Sequence, residues 1–385
     1  MDFRAVPFRS PLSSYERQAE SLLAGQRAGD RGALDLFHRK HPRFLDDKIK
    51  WLPKFIPDDE IRATTLSLDD ARLTIARSYD FLDWPSLVAY LEALERESDV
   101  LEFESAVEAV VDGDLAALAM ALRRDPALVH ARSGRVCSFD PPVHRATLLH
   151  YVAANGVEAH RQRTPPNAVE IAGALLEAGA EPDALADMYG VECTPMSMLV
   201  SSSHPAEAGV QVPLVELLLD FGAAIEGRGT RKWGGPLSTA LIFGKVDAAK
   251  ALAQRGAHID LPAAAGLGLV DEVATLLPAA DALARQRSLS LAAQQGHAAI
   301  VGLLLDAGED PNRYNPESNH PHTTPLHQAV LGGHETVVRL LVARGARLDM
   351  RDTIWRGTPL GWALHGGGKA GAQMAQCLRL LGAAD

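Results

Sequence analysis

The stretch Thr324-Pro325-Leu326-His327-Gln328-Ala329-Val330-Leu331-Gly332-Gly333-His334 decides the fold of this chain. Proline fits the first turn of a helix, where its missing amide hydrogen costs nothing, and the threonine before it can cap that turn. Gly333 permits the chain to reverse into a second helix. There Val337, Val338, Leu340 and Leu341 form a wide apolar stripe before Gly345-Ala346 closes the unit. One such helix pair cannot bury its own apolar face, so copies must stack against one another. The stretch therefore predicts a helical repeat, an architecture built as a surface for holding something.

Working outward, the leucine of this pattern and the glycine seven residues later recur, with decay, back to residue 100. The aligned anchors are Ala106, Leu149, Met196, Leu237, Leu261, Leu289, Leu326 and Leu360, at spacings of 43, 47, 41, 24, 28, 37 and 34 residues. Closing glycines recur at Gly179, Gly222, Gly256, Gly308, Gly345 and Gly382.

These residues resemble the ankyrin repeat, with its Thr-Pro-Leu-His, Gly-His, aliphatic run, Gly-Ala and following Asp or Asn. The match is specific at 287–349, good at 147–183 and 235–260, and poor at 261–284, where no Thr-Pro survives. The resemblance implies an all-α ankyrin-repeat solenoid over residues 101–385, of about eight units. Each unit would be two antiparallel helices followed by a loop or β-hairpin finger on the concave side. In that family the histidine of the first motif bonds backbone groups of adjacent fingers. His150 and His327 are accordingly read as structural, as are His297 and His334 in the Gly-His position.

The first three spacings exceed the ~33 residues of such a unit, so each contains an insertion. The excess falls in residues 131–146, 157–167, 184–193, 202–212 and 226–234. Loops in a solenoid project from its surface, so these insertions are expected to wall a deep groove at one end, with the array trimmed in the middle. Residues 1–100 read as an N-terminal helical cap. Two helices span 12–41, an ordered loop 42–65, and a further pair runs from Ser67 to Leu94, a polar-faced cover for the exposed end of the stack. The whole chain is similar to uncharacterised bacterial ankyrin-repeat proteins with such a leader, a resemblance that brings no activity with it.

The formal net charge is -11, and both the first hundred residues and the remainder are acidic, which argues against broad contact with phosphate backbones. Cys137, Cys193 and Cys377 are sparse, odd in number and unpaired in motif, as in a reducing compartment. Met1 to Glu20 lacks the apolar core of a signal peptide, and no run of about 18 apolar residues is present. The expectation is a soluble cytoplasmic protein without nucleic-acid or membrane partners.

The fingers carry the candidate binding residues. Aromatic side chains make up only 5% of the chain, yet Tyr189, Trp233, Tyr314 and Trp355 recur in the same zone of the repeat, where large contact area comes at low entropic cost. His320 and His322 lie on one finger, two residues apart, with Asp352 on the next, and Asp187 adjoins Tyr189. A shared metal would need a third ligand, and no cluster at standard spacing supplies it, so no metal or cofactor is expected. Trp362, inside a helix, reads as core. The pairs Cys137 with His144 and Cys193 with His204 lack any nucleophile signature. Gly366-Gly367-Gly368-Lys369 departs from a phosphate loop, with Ala363 and Ala370 at two of its required positions, and reads as a turn. The predicted function is a non-catalytic scaffold that recognises a protein or peptide in the concave groove. The alternative is a small-molecule or enzymatic pocket of His144, His322, Asp187 and Asp352.

Overall fold

The computed structural model describes residues 5–229 and 234–384. The fold is all-α, and the eight anchors each fall in or at the start of the first helix of a pair. The pairs run Ser98–Asp112 with Leu115–Arg124, Leu148–Val152 with Ala168–Glu177, and Pro195–Leu199 with Gln211–Asp220. They continue as Pro236–Ile242 with Val246–Gln254, Leu261–Leu267 with Val270–Leu276, and Ala282–Gln295 with Ala298–Asp306. The last two are Pro325–Leu331 with Glu335–Ala343 and Pro359–Gly366 with Gly368–Leu380. Where the Thr-Pro signal has decayed, aspartate takes over the cap: Asp260 accepts from Ala263 N at 2.9 Å and Asp281 from Ala284 N at 2.7 Å. A repeat can thus lose its sequence signature and keep its geometry.

The chain divides into two compact units, one of residues 5–222 with 228–229, the other of 223–227 with 234–384. In the second, Ala264, Ala265, Ala292, Ala293 and Ala329 let successive first helices close together, and Val273, Ile300, Val301, Val337, Val338 and Leu341 fill the layer behind them. Histidines tie the repeats as the family resemblance implied. The Nδ1 of His327 faces its own Thr324 hydroxyl at 2.8 Å while Nε2 reaches Gly357 O at 3.2 Å; His150 does the same with Thr147 at 2.9 Å and Cys193 O at 3.2 Å. His297 and His334 bond Gly266 O and Gln294 O. The segment Gly366–Lys369 is the junction of the last two helices, with Gly367 at φ +62°.

In the first unit, helices Leu12–Ala28 and Arg31–Lys40 pair across Gly29-Asp30 and bury Leu22, Leu34 and Phe37; Leu36 stays half-buried. The segment 42–65 is more regular than expected, holding a helix Asp58–Ala63 that buries Ile61. Helix Leu68–Ser78 starts at a Ser67–Asp70 capping box, and Trp84–Arg96 starts at Asp83, whose carboxylate accepts from Ser86 N. These elements share their own core around Phe37, Ile75, Phe81 and Leu87. Trp84–Arg96 then packs on Ser98–Asp112, the first helix of the array.

The insertions do not all project. Residues 184–193 do form a finger, an antiparallel hairpin pairing Ala186–Met188 with Val191–Cys193. Insertions 131–146 and 157–167 instead turn inward: Arg135, Cys137, His144, Glu158 and Arg161 are all buried. Their charges neutralise one another, which is what allows a polar loop to become interior. Among the described residues, no helix is long and apolar enough to cross a membrane.

Candidate functional site

The sequence-nominated residues of the second unit meet around one finger. Asp352 is 1% exposed, and its carboxylate accepts from Ile354 N, Trp355 N, Gly357 N and the Trp362 indole Nε1. Burial pushes this carboxyl up, but those four hydrogen bonds outweigh it and hold it below the usual carboxylate range. The turn they fix places Arg356 at φ +60° and brings Gly357 against Trp362, where an added Cβ would meet the ring at 2.8 Å. Asp352 therefore positions the finger and has no free acceptor for a metal.

On this base stands an aromatic platform. The Trp355 ring meets His322 edge-on at 5.2 Å between centroids and Trp362 at 6.2 Å. His322 lies 6.2 Å from Trp362, and Trp362 packs on His327 at 5.3 Å. Trp355 remains 43% exposed although the carboxylate beneath the turn pins its backbone. Burial, then the neighbouring His320, lowers the His322 pKa and favours the neutral ring. His320 itself is turned away to Ile242 O at 2.9 Å, and Thr353 N bonds His322 O, joining one finger to the next. Tyr314 is half-buried and donates its hydroxyl to Arg351 O at 2.7 Å.

Of the remaining nominated residues, Tyr189 and Asp187 lie in the first unit. Tyr189 sits at the hairpin turn with φ +55°, 51% exposed, its hydroxyl donating to Asn155 Oδ1 at 2.8 Å. Asp187 is half-buried in the hairpin, with its N–H on His144 O. Trp233 lies outside the described residues. The suggested pocket of His144, His322, Asp187 and Asp352 draws two residues from each compact unit. Trp362, read as core, is a half-buried member of the platform; its link to Asp352 spans a finger, and its helix position alone gave no sign of it.

The first unit holds a second constellation that the sequence reading touched only at Cys137 and His144. Glu158, wholly buried, takes His144 Nε2 at 3.2 Å, Arg135 Nε at 3.6 Å and Arg161 Nη1 at 3.8 Å. Arg161 also meets Glu104 at 2.7 Å and Glu108 at 2.9 Å, and Tyr90 donates to Glu104 at 3.0 Å. The Arg135 guanidinium stacks 3.8 Å over Phe81. Burial would push the Glu158 carboxyl up; Arg135, the His144 bond and Arg161 outweigh it and hold it well below the carboxylate range. A cavity of about 470 Å³ opens beside the network, lined by Tyr15, Tyr79, Tyr90, Arg135, Arg161 and Arg163 among others.

Cys137, His144 and Glu158 lie close enough to hold a metal ion, yet their chemistry fits a hydrogen-bonded cluster better. His144 Nδ1 accepts Ala146 N–H at 3.1 Å, so the ring proton of the neutral imidazole sits on Nε2 and points at Glu158. That nitrogen has no lone pair to give. Burial, then Glu158, pushes the Cys137 thiol up, which keeps it protonated and unreactive. Cys193 is buried on the hairpin, whereas His204 is exposed at the start of helix His204–Glu207.

Comparison with known proteins agrees with the repeat geometry. The family model of ankyrin repeats matches three copies, over residues 261–352 and 289–381. The match includes 261–284, where the sequence signature is weakest and aspartates have replaced the threonine cap. Ankyrin repeats make up this part of the chain. A stretch of 94 residues is 32% identical to the inactive serine/threonine-protein kinase TEX14 of Mus musculus, covering 24% of this chain and 6% of that protein. The chain thus spans a small fraction of that relative's length.

Proposed function

We propose that this protein is a non-catalytic binding scaffold that recognises a protein or peptide across its fingers, with Trp355 as the principal anchor. Ankyrin repeats are in general protein-interaction modules, which supports the class of function. The observation that carries the specific reading is the half-exposed Trp355, pinned from below by Asp352 and from the side by His322 and Trp362. A rigid exposed aromatic loses little entropy when a partner covers it, which is the property of an interface hot spot. Tyr314 and, in the first unit, Tyr189 extend the set, and Trp233 belongs to it by sequence. The chain's acidity favours a partner other than nucleic acid, and three sparse, buried cysteines fit a reducing cytoplasm. The leader acts in this reading as a cap whose packing on Ser98–Asp112 covers the end of the array.

The test is to recover proteins bound to the tagged chain from its native extract. The same experiment is run with Tyr189, Trp233, Tyr314 and Trp355 all replaced by alanine. A partner present with the natural chain and lost with the variant supports the reading. An unchanged set of bound proteins sinks it.

The 470 Å³ cavity of the first unit favours a second reading, a small-molecule pocket, because its size lies within the roughly 300–1,000 Å³ of ligand sites. Native mass spectrometry of the protein from its own cells decides this: a retained small molecule lost on Tyr90→Ala supports it, and an unadorned mass argues against it.

A further inference from the structure

The cavity of about 470 Å³ in the first unit has an aromatic wall and a charged one, and both bear on what enters it. Aromatic residues are 5% of the chain, yet Phe8, Tyr15, Tyr79, Phe81 and Tyr90 all line this one space. Such a concentration suits a flat ring, which packs edge-on or offset against aromatic walls. The volume is about three times the ~150 Å³ that holds benzene, so one or two rings with a substituent fit.

Tyr15 supplies the polar feature. It is 7% exposed, and its hydroxyl makes no hydrogen bond among the described residues, yet that oxygen is open to water. Arg135, Arg161 and Glu108, the charged groups that act on the phenol, all line the same cavity, as does Tyr79. The hydroxyl therefore stands among them and faces the space they enclose. Burial, then Tyr79, pushes its pKa up to about 12, which keeps it a hydrogen-bond donor. The other tyrosine hydroxyls at the cavity are taken, Tyr79 by Val6 N and Gln18 Oε1, and Tyr90 by Glu104.

The charges decide between an anion and a cation. Glu108 gives one oxygen to Arg161 at 2.9 Å and the other to Arg163 at 3.4 Å, and Asp112 gives Arg163 an oxygen at 2.6 Å. The rings of Phe81 and Tyr90 already carry the Arg135 guanidinium, at 3.8 and 5.0 Å. A cationic ligand thus finds these carboxylates and rings engaged. Arg9, exposed on the wall formed by residues 5–9, has no carboxylate partner among the described residues. A turn fixes that wall: Arg9 has φ +64°, and Ser10 bonds Pro7 O through N at 3.1 Å and through Oγ at 2.7 Å. We propose that the cavity takes a small aromatic carboxylate. Its ring lies among the aromatic walls, a carboxylate oxygen accepts from the Tyr15 hydroxyl, and Arg9 supplies the unmatched positive charge. This rests on the small-molecule reading above and names the class of ligand.

The experiment uses the full chain with ¹³C-labelled tyrosine rings. Tyr15, Tyr79 and Tyr90 report from the cavity, and Tyr151, Tyr189 and Tyr314, outside its lining, serve as controls. Benzoate, benzyl alcohol, benzamidine and cyclohexanecarboxylate are titrated in turn. The expected result is a saturable shift of the three reporters, tightest with benzoate. Tyr15→Phe removes a hydroxyl that bonds nothing within the protein, so it leaves Tm unchanged and weakens benzoate by about tenfold. Arg9→Ala, at an exposed residue, weakens benzoate by about twofold to fivefold at low salt and by less at high salt. Benzamidine or benzyl alcohol binding as tightly as benzoate overturns the assignment of an acid. Cyclohexanecarboxylate matching benzoate overturns that of an aromatic ring, and an unchanged benzoate affinity in Tyr15→Phe overturns the role of the hydroxyl. No saturable shift with any of the four overturns the proposal as a whole. The pocket reading is judged separately, by whether the protein from its own cells retains a small molecule.

Discussion

The two compact units solve the same stacking problem with different interiors. In the second, consecutive first helices close through alanines, and buried polar groups such as His327, Asp352 and Ser290 are met by individual capping and finger bonds. In the first, the repeats are lengthened by insertions, and the added interior is polar: Glu158, Arg135, His144, Arg161 and Glu104 are buried together. A short repeat buries one apolar face and needs nothing else. A lengthened repeat that folds its insertion inward has backbone and charge to satisfy, and does so with a network that holds only when complete. The comparison implies that the first unit is brittle to single changes where the second is tolerant.

The largest expected effect is therefore at the centre of that network. Glu158→Ala leaves Arg135 buried without its carboxylate, while Arg161 keeps Glu104 and Glu108, and breaking a buried pair in this way costs about 3–5 kcal/mol. Urea denaturation followed by hydrogen exchange should show the first unit opening at markedly lower urea, with the second unit's protection unchanged. In the second unit, Arg344→Ala removes an exposed pair with Asp306 and should change stability by less than about 1 kcal/mol. Equal losses from the two substitutions would remove the contrast.

The second test uses one slot of the repeat in both units. Burial lowers the pKa of His150 from 6.5 to about 3, and lowers that of His327 to a lesser depth. Each folded ring resists protonation because burial disfavours its charged form. The unfolded chain binds the proton first, so this contribution to stability is complete above about pH 6.5 and is lost as pH falls towards 3, at up to about 1.4 kcal/mol per pH unit for His150. His150→Gln should flatten the acid slope of the first unit between pH 6 and 4 in chemical denaturation. An unchanged slope would mean that His150 is not the group that titrates.

These contrasts also mark what was legible in the sequence. The eight helix pairs were readable because their signals are local: a cap, a proline, a glycine at fixed offset. His322 and Asp352 were readable as lying on adjacent fingers because repeat register puts equivalent finger positions side by side. Trp362 packs against the core as its helix position implied, but its bond to Asp352, ten residues away across a finger, had no local signal. The Glu158 network had no local signal, since Arg161 and Glu108 are separated by 53 residues and charged residues in a Pro- and Arg-rich insertion ordinarily face water.

At the platform the expected effect is on binding. Trp355→Ala should weaken the captured partner by about 2 kcal/mol, roughly thirtyfold in Kd, with little change in Tm because the ring is half in solvent. An unaltered Kd by calorimetry would move the anchor elsewhere.

The smallest effect separates the anchor from its support. Trp362→Phe keeps an aromatic ring in the platform but removes the indole donor to Asp352. The lost hydrogen bond to a charged group costs about 1.5–3 kcal/mol at most. Asp352 keeps three backbone donors, so the expected loss lies near the lower figure. The informative quantity is the split between the two variants. If Trp362 acts by holding the turn, Trp362→Phe should loosen Trp355, seen as weaker steady-state fluorescence anisotropy of that ring. It should also speed partner dissociation by about threefold to tenfold while leaving association unchanged. Loss of stability without a change in dissociation would make Trp362 a packing residue after all, and would confine the functional surface of this finger to Trp355 and His322.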